Sequence, residues 1–315
     1  MEKHDELFEA LGALTHDPLA FVYFAYPWGD PGTPLEDMEG PDEWQIQILK
    51  DIGEQLKKGK DLQTAIQEAV ASGHGIGKSA LISWLIHFAI STHENTRGVV
   101  TANTEGQLRT KTWPELSKWH NMFIAKDLFT YTATAIFSSD KDYEKTWRID
   151  AIPWSKNSPE SFAGLHNQGN RILVLFDEAS AIDDVIWEVT EGALTDANTE
   201  IIWCAFGNPT RNSGRFRECF RKYRKFWNTY QIDSRTVKIS NKAKIEEWLE
   251  AYGEDSDFFK VRVRGVFPSA SDLQFISTEI ADKAQKQVYK PGQFEHLPVI
   301  IGVDPAWTGS DSLEI

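Results

Sequence analysis

The chain has 315 residues, enough for one large α/β domain with an appendage or for two domains, and its 41% hydrophobic and 12% aromatic content supplies a packed core. No apolar run approaches the roughly 20 residues of a membrane span, the acidic start MEKHDELFEA excludes a signal peptide, and the two cysteines, Cys204 and Cys219, are too few for a disulfide framework or a zinc site and fit a reducing cytoplasm, Cys204 as a core residue. A net charge of −14 excludes a surface broadly coated in nucleic acid.

In chain order, the aromatic-rich stretch 21–28 leads through Pro/Gly turns to a helical pattern over about 44–57. A strand ending in Ala69-Val70-Ala71 follows, then a glycine loop, then a mostly apolar helix over about 78–90. Strand, loop and helix in that order form the setting a phosphate-binding loop requires. Short apolar runs at 98–102, 147–152, 171–176 and 201–206 alternate with helical segments such as 105–119 and 184–192, which predicts a mostly parallel sheet covered on both faces. Another helix is expected over about 241–252, with Ser240 or Asn241 as its N-cap and Gly253 as its stop. The segment 264–269, RGVFPS, reads as a domain boundary, and 298–304 as a buried strand finishing on Asp304. The expected organisation is an N-terminal aromatic-rich arm (1–40), an α/β domain built on that phosphate-loop setting (41–268), a linker (269–297) and the first strand and hairpin of a further domain cut off at the chain's end (298–315).

The central signal is Ser72-Gly73-His74-Gly75-Ile76-Gly77-Lys78-Ser79, with Ala80 opening the following helix. Successive backbone N–H groups there can cradle the phosphates of ATP, and glycines let the backbone approach closely. Lys78 would neutralise phosphate charge and Ser79 would ligate Mg²⁺. Ser72 departs from the usual first glycine, and a glycine turn that binds nothing would explain the loop taken alone. The uncharged run 172–176 delivers Asp177-Glu178 to a strand's C-terminal end, where α/β sheets bind ligands. Asp177 is the expected Mg²⁺ acid and Glu178 the group that orients and polarises the attacking water. A solvated strand end would explain these two acids alone; the loop and the acids together select an ATPase.

After the next strand, Asn208 in Phe206-Gly207-Asn208-Pro209-Thr210 reads either as a γ-phosphate sensor or as ordinary turn chemistry. Gln45 after Trp44 reads either as an amide for the adenine edge or as an exposed residue beside a buried Trp. Between Arg211 and Lys225 seven cations face the single acid Glu218, a net +6 that leaves −20 for the rest of the chain. That window reads as a solvated helix face, as a phosphate-tracking surface, or as the source of an arginine reaching a neighbouring subunit's nucleotide. Arg211, Arg215 and Arg148 are the candidates for the last role.

Taken together, Pro41-Asp42-Glu43-Trp44-Gln45, the phosphate loop, Thr101-Ala102-Asn103-Thr104-Glu105-Gly106-Gln107, Leu175-Phe176-Asp177-Glu178-Ala179-Ser180, Gly207-Asn208-Pro209 and Arg264-Gly265-Val266-Phe267-Pro268 resemble the large terminase subunit of tailed bacteriophages over about residues 20–311. The resemblance implies a RecA-like ATPase of the additional-strand, catalytic-glutamate class, which hydrolyses ATP with Mg²⁺ to drive double-stranded DNA into a procapsid. It implies a pentameric ring on the portal protein, a small terminase subunit as partner, and a host-cytoplasmic location without membrane contact and outside the mature virion. Lys78, Ser79, Asp177 and Glu178 keep their roles, Asn208 falls in the coupling motif and Gln45 in the adenine motif. His74 stands where many relatives carry an arginine. Relatives also have a C-terminal ribonuclease H-like nuclease using Mg²⁺ or Mn²⁺. Asp304 matches its first metal-binding aspartate and Asp311 is a weaker candidate, so that nuclease is expected to be incomplete in this chain. The competing functions are a helicase-like or repair P-loop ATPase acting on DNA and a nucleotide-dependent assembly module that does no work.

Overall fold

The computed structural model describes residues 2–59, 64–102, 104–154, 165–269 and 278–288. The chain divides into two units, Met1–Pro268 and Ser269–Ile315. Within the first, helices α1 (Glu2–Ala13), α2 (Pro18–Ala25) and α3 (Glu43–Leu56) precede strand β1 (Ile66–Ser72) and helix α4 (Lys78–Thr92). Then come β2 (Arg97–Thr101), α5 (Glu105–Gln107), α6 (Trp113–Met122), a hairpin of β3 (Phe129–Tyr131) and β4 (Ala135–Ser138), β5 (Arg148–Ala151) and β6 (Arg171–Phe176). The unit continues with α7 (Asp184–Ala193), β7 (Glu200–Gly207), α8 (Arg215–Cys219), β8 (Asn228–Ile232), α9 (Lys242–Tyr252) and α10 (Asp257–Phe259).

The eight strands form one sheet in the order β3-β4-β5-β2-β6-β7-β1-β8. All pairs are parallel except β3 with β4 and β4 with β5. The central strands β2, β6 and β7 carry charge only at their first residue and are otherwise buried on both faces, as a parallel sheet between helical layers demands; β6 is buried at every position. Alternate residues feed two cores. Leu173 and Leu175 face one with α4, and Ile172, Val174 and Phe176 face the other with Trp187 and Trp203. Helix α4 is buried on all sides from Leu81 to Thr92, which explains a sequence without a polar face.

The N-terminal residues pack into the same core as the sheet: Leu11, Phe21, Val22, Ala25, Tyr26 and Leu35 are buried with α4 residues. Buried Arg171, at the start of β6, pairs with Glu200 at 2.7 Å and donates to the Thr15 carbonyl at 2.7 Å, tying the α1–α2 turn to the sheet.

In the second unit the stretch expected as a linker holds a helix, α11 (Thr278–Gln285). The strand expected over 298–304, with Asp304 and Asp311, lies outside the described residues. Among the described residues no helix is long and apolar enough to cross a membrane.

Candidate active site

The parallel strands β1, β6 and β7 are neighbours, so the segments leaving their C-terminal ends converge. From β1 comes the glycine loop, from β6 Asp177-Glu178, and from β7 Asn208. They border a cavity of about 890 Å³ lined by His74, Gly75, Ile76, Gly77, Lys78, Ser79, Ala80, Asp177, Glu178 and Asn208, and also by Gln45, Lys111 and Ile239.

The loop's shape has local causes. Gly77 has φ +88, a left-handed conformation that costs glycine nothing and delivers the chain to the first turn of α4. Gly73 is required for another reason: a Cβ there would overlap Ser234 Oγ and the Val263 carbonyl. Those atoms belong to a clamp beneath the loop. The Gly73 N–H donates to the Ile232 carbonyl at 3.1 Å, the His74 N–H to the Arg262 carbonyl at 2.8 Å, and Ser234 Oγ to the His74 carbonyl at 2.8 Å. The side chain of His74 opens into the cavity. Desolvation by the surrounding walls, then the charges of Lys78, Arg262 and Lys111, push its pKa down to about 4.

Lys78 donates through Nζ to Ser72 Oγ at 3.2 Å and to Asn208 Oδ1 at 3.5 Å. Burial lowers its pKa, and the nearby carboxylates of Glu178 and Asp177 oppose that shift. Ser72, the departure from the usual glycine, thus serves as a partner for the lysine. Asn208 in turn donates through Nδ2 to the Ser72 carbonyl at 2.6 Å, so β7 and the loop are locked together. Asp177 is buried; its Oδ2 accepts from Thr112 Oγ1 at 2.6 Å and its Oδ1 from the Glu178 N–H at 3.0 Å. Burial raises the Asp177 pKa, partly offset by the Thr112 hydrogen bond. Glu178 sits in the left-handed region with φ +52 and ψ 44, a conformation that costs a non-glycine residue about 1–3 kcal/mol and recurs at functional sites.

Gln45 is buried beside Trp44, not exposed as the second reading had it, and it lines the cavity with its amide engaged by the protein. Oε1 accepts from the Asp42 N–H at 2.8 Å, capping α3, and Nε2 donates to the Gly77 carbonyl at 3.1 Å.

The arginine candidates separate. Arg148, at the start of β5, lies at the opposite end of the sheet from the loop, where it pairs in register with Arg97 and salt-bridges Asp150 at 2.6 Å. Arg215 is ion-paired with Glu191 and stacks over Tyr223 at 3.5 Å. Arg211 is exposed and has no ion pair among the described residues. The basic window is no long helix: α8 has five residues, with Phe216 and Cys219 buried, and turns follow to β8 with Arg224, Lys225 and Phe226 exposed. Cys204 is a free, buried core residue, as expected.

The sequence reading did not find Thr112, the Ser234–Val263 clamp, or Lys111, Lys238 and Ile239 in the cavity wall. The only local sign of Thr112, Ser234, Lys111 and Lys238 is a hydroxyl or cation, and Ile239 and Val263 have none. Among the described residues there is no group of three or more His, Cys, Asp or Glu that could hold a metal.

No protein-family model matches the chain. Over 236 residues it is 25% identical to the probable large terminase subunit of Enterobacteria phage P7, covering 70% of this chain and 46% of that protein. Its fold is similar to that of the large terminase of the thermophilic bacteriophage D6E solved with ADP, with a TM-score of 0.52, 13% identity, and 73% of this chain against 54% of that one. It is also similar to a point mutant of the large terminase ATPase domain of Thermus phage P74-26, with a TM-score of 0.50, 14% identity, and 72% of this chain against 94% of that domain. The chain therefore spans about half the length of the P7 and D6E proteins. In sequence and in fold it is similar to the large terminase subunits of bacteriophages, and its fold is the RecA-like P-loop fold of their ATPase domains.

Proposed function

We propose that the chain binds ATP at the β1–α4 loop and hydrolyses it, and that this drives double-stranded viral DNA into a procapsid. The observation that carries the reading is the convergence of Lys78, Asp177, Glu178 and Asn208 from three adjacent strand ends around one cavity. A phosphate chain entering there meets the loop's N–H groups and the N-terminus of α4, and Lys78 exchanges its Ser72 and Asn208 contacts for phosphate oxygens. Mg²⁺ bound with ATP would be held by the Ser79 hydroxyl and the Asp177 carboxylate and would neutralise charge on the phosphates. A buried acid with one hydroxyl and one N–H as partners suits that task. Glu178, fixed beside Asp177 on strained backbone, orients the attacking water and accepts its proton. Asn208, bonded to both Lys78 and the Ser72 carbonyl, reports loss of the γ-phosphate to β1.

The motor reading rests on the likeness to terminases and on the basic 211–225 window of an otherwise acidic chain, which suits phosphate contacts without base reading. Portal protein, small terminase subunit and a pentameric ring of copies are the partners proposed with it, and the host cytoplasm the place. Endonuclease activity, through Asp304 and Mg²⁺ or Mn²⁺, belongs to the proposal for the full-length protein.

Phosphate release and nucleotide binding, each measured with and without double-stranded DNA, test the reading. Lys78→Ala is expected to abolish hydrolysis, and Glu178→Gln to keep ATP affinity while losing about 10²-fold or more in turnover. Unchanged turnover in Glu178→Gln removes that residue from catalysis, and turnover indifferent to DNA removes the motor.

A further inference from the structure

Between α5 and α6 the helix is wound one residue too wide. The Trp113 N–H donates to the Leu108 carbonyl, five positions back, so Leu108–Thr112 forms a π turn. Pro114 follows directly, and its missing N–H removes one bond of a regular α ladder at this point. Single π turns of this kind concentrate at functional sites. Here the wide turn sends two consecutive side chains to the active site. Thr112 is buried and donates to Asp177 Oδ2, while Lys111 enters the cavity wall with His74, Lys78 and Glu178.

Lys111 has no ion-pair partner among the described residues, although it is exposed to the cavity. Its charge reaches His74, which is itself neutral near pH 7 and brings no cation to the loop. The other cavity cations are committed or displaced: Lys118 pairs with Glu115 at 3.4 Å, and Lys238 lies on the α3 side, where its N–H donates to Asp42.

We propose that Lys111 is a cis-acting cation that contacts the terminal phosphate of ATP, with Thr112 as the positioning residue that ties the same turn to Asp177. The inference rests on the ATP reading above and adds to it a residue on a separate element from the loop. A lysine on the turn that also holds the metal-side acid discriminates triphosphate from diphosphate, because only the triphosphate extends to it. When the terminal phosphate leaves, the turn is released from one side and α6 with it.

Equilibrium binding of ATP and of ADP to the whole chain, with steady-state turnover, decides. Lys111→Ala is expected to lose about tenfold or more of the preference for ATP over ADP, with ADP affinity unchanged and kcat lowered, as loss of a charged hydrogen bond predicts. Lys111→Arg should restore part of that preference. Arg109→Ala, on the same segment and paired with Glu105 at 2.9 Å, should leave it intact. Equal weakening of ATP and ADP in Lys111→Ala, or no weakening, overturns the proposal while leaving the ATPase reading in place. Absence of nucleotide binding by the unsubstituted chain overturns both.

Discussion

Glu178, the proposed water-orienting acid, sits on strained backbone. Its φ of +52 lies where a Cβ crowds the backbone, and its side chain lines the cavity. In ordinary helix or strand positions, glycine is less stable than alanine because it loses more backbone freedom on folding. At a left-handed position the order reverses. Glu178→Gly is therefore expected to be more stable than Glu178→Ala by about 1 kcal/mol in denaturant unfolding, with both inactive. An alanine variant as stable as the glycine variant would mean that the backbone relaxes out of this conformation. The strain is tolerated because Asp177 accepts the Glu178 N–H and β6 is locked between β2 and β7.

At the scale of elements, the seam between α3, β1 and β8 holds a buried carboxyl. Glu68 on β1 accepts from Gln55 and Asn228, each at 3.0 Å and both on Oε1, while Oε2 has no partner. Burial pushes its pKa from 4.5 up to about 8, against the pull of its hydrogen bonds. The folded chain then holds a proton that the unfolded chain releases. The stability tied to that proton is complete below about pH 4.5 and is lost as pH rises to about 8. Glu68→Gln keeps the same shape without the ionisation. It should match the original chain near pH 4.5 and exceed it by about 4 kcal/mol at pH 8, read from urea unfolding at both pH values. A constant difference across that range would mean that Glu68 is not the titrating group.

For the molecule as a whole, the question is whether one chain completes its own site. Lys111 would supply positive charge in cis, but phosphoryl transfer in ring motors commonly draws an arginine from a neighbour. Of the three sequence candidates Arg148 and Arg215 are held by Asp150 and Glu191, and Arg211 stays exposed just past Asn208. ATP turnover per chain is expected to rise with concentration. An equimolar mixture of Lys78→Ala and Arg211→Ala chains should exceed the mean of the two alone, because some sites then combine an intact loop with an intact arginine. A mixture equal to that mean would take Arg211 out of the role.

The residues of the loop, the Asp177-Glu178 pair and Gly207-Asn208-Pro209 were legible in the sequence because each is contiguous and follows an apolar strand. Alternating strands and helices likewise announced a mostly parallel sheet, since periodicity is a local quantity. The hairpin β3–β4 and the edge strand β8 were not legible: they are short, and NTYQI is a polar sequence only partly buried in its strand. Nor could the sequence assign Gln45 to the α3 cap and the Gly77 carbonyl, find Thr112 65 residues from Asp177, or place Ser234 under His74, 160 residues away. Those contacts follow from β1 lying between β7 and β8 and from a wide turn before Pro114. Strand order is decided by which buried faces pack together across the whole chain, a property no local window of residues contains.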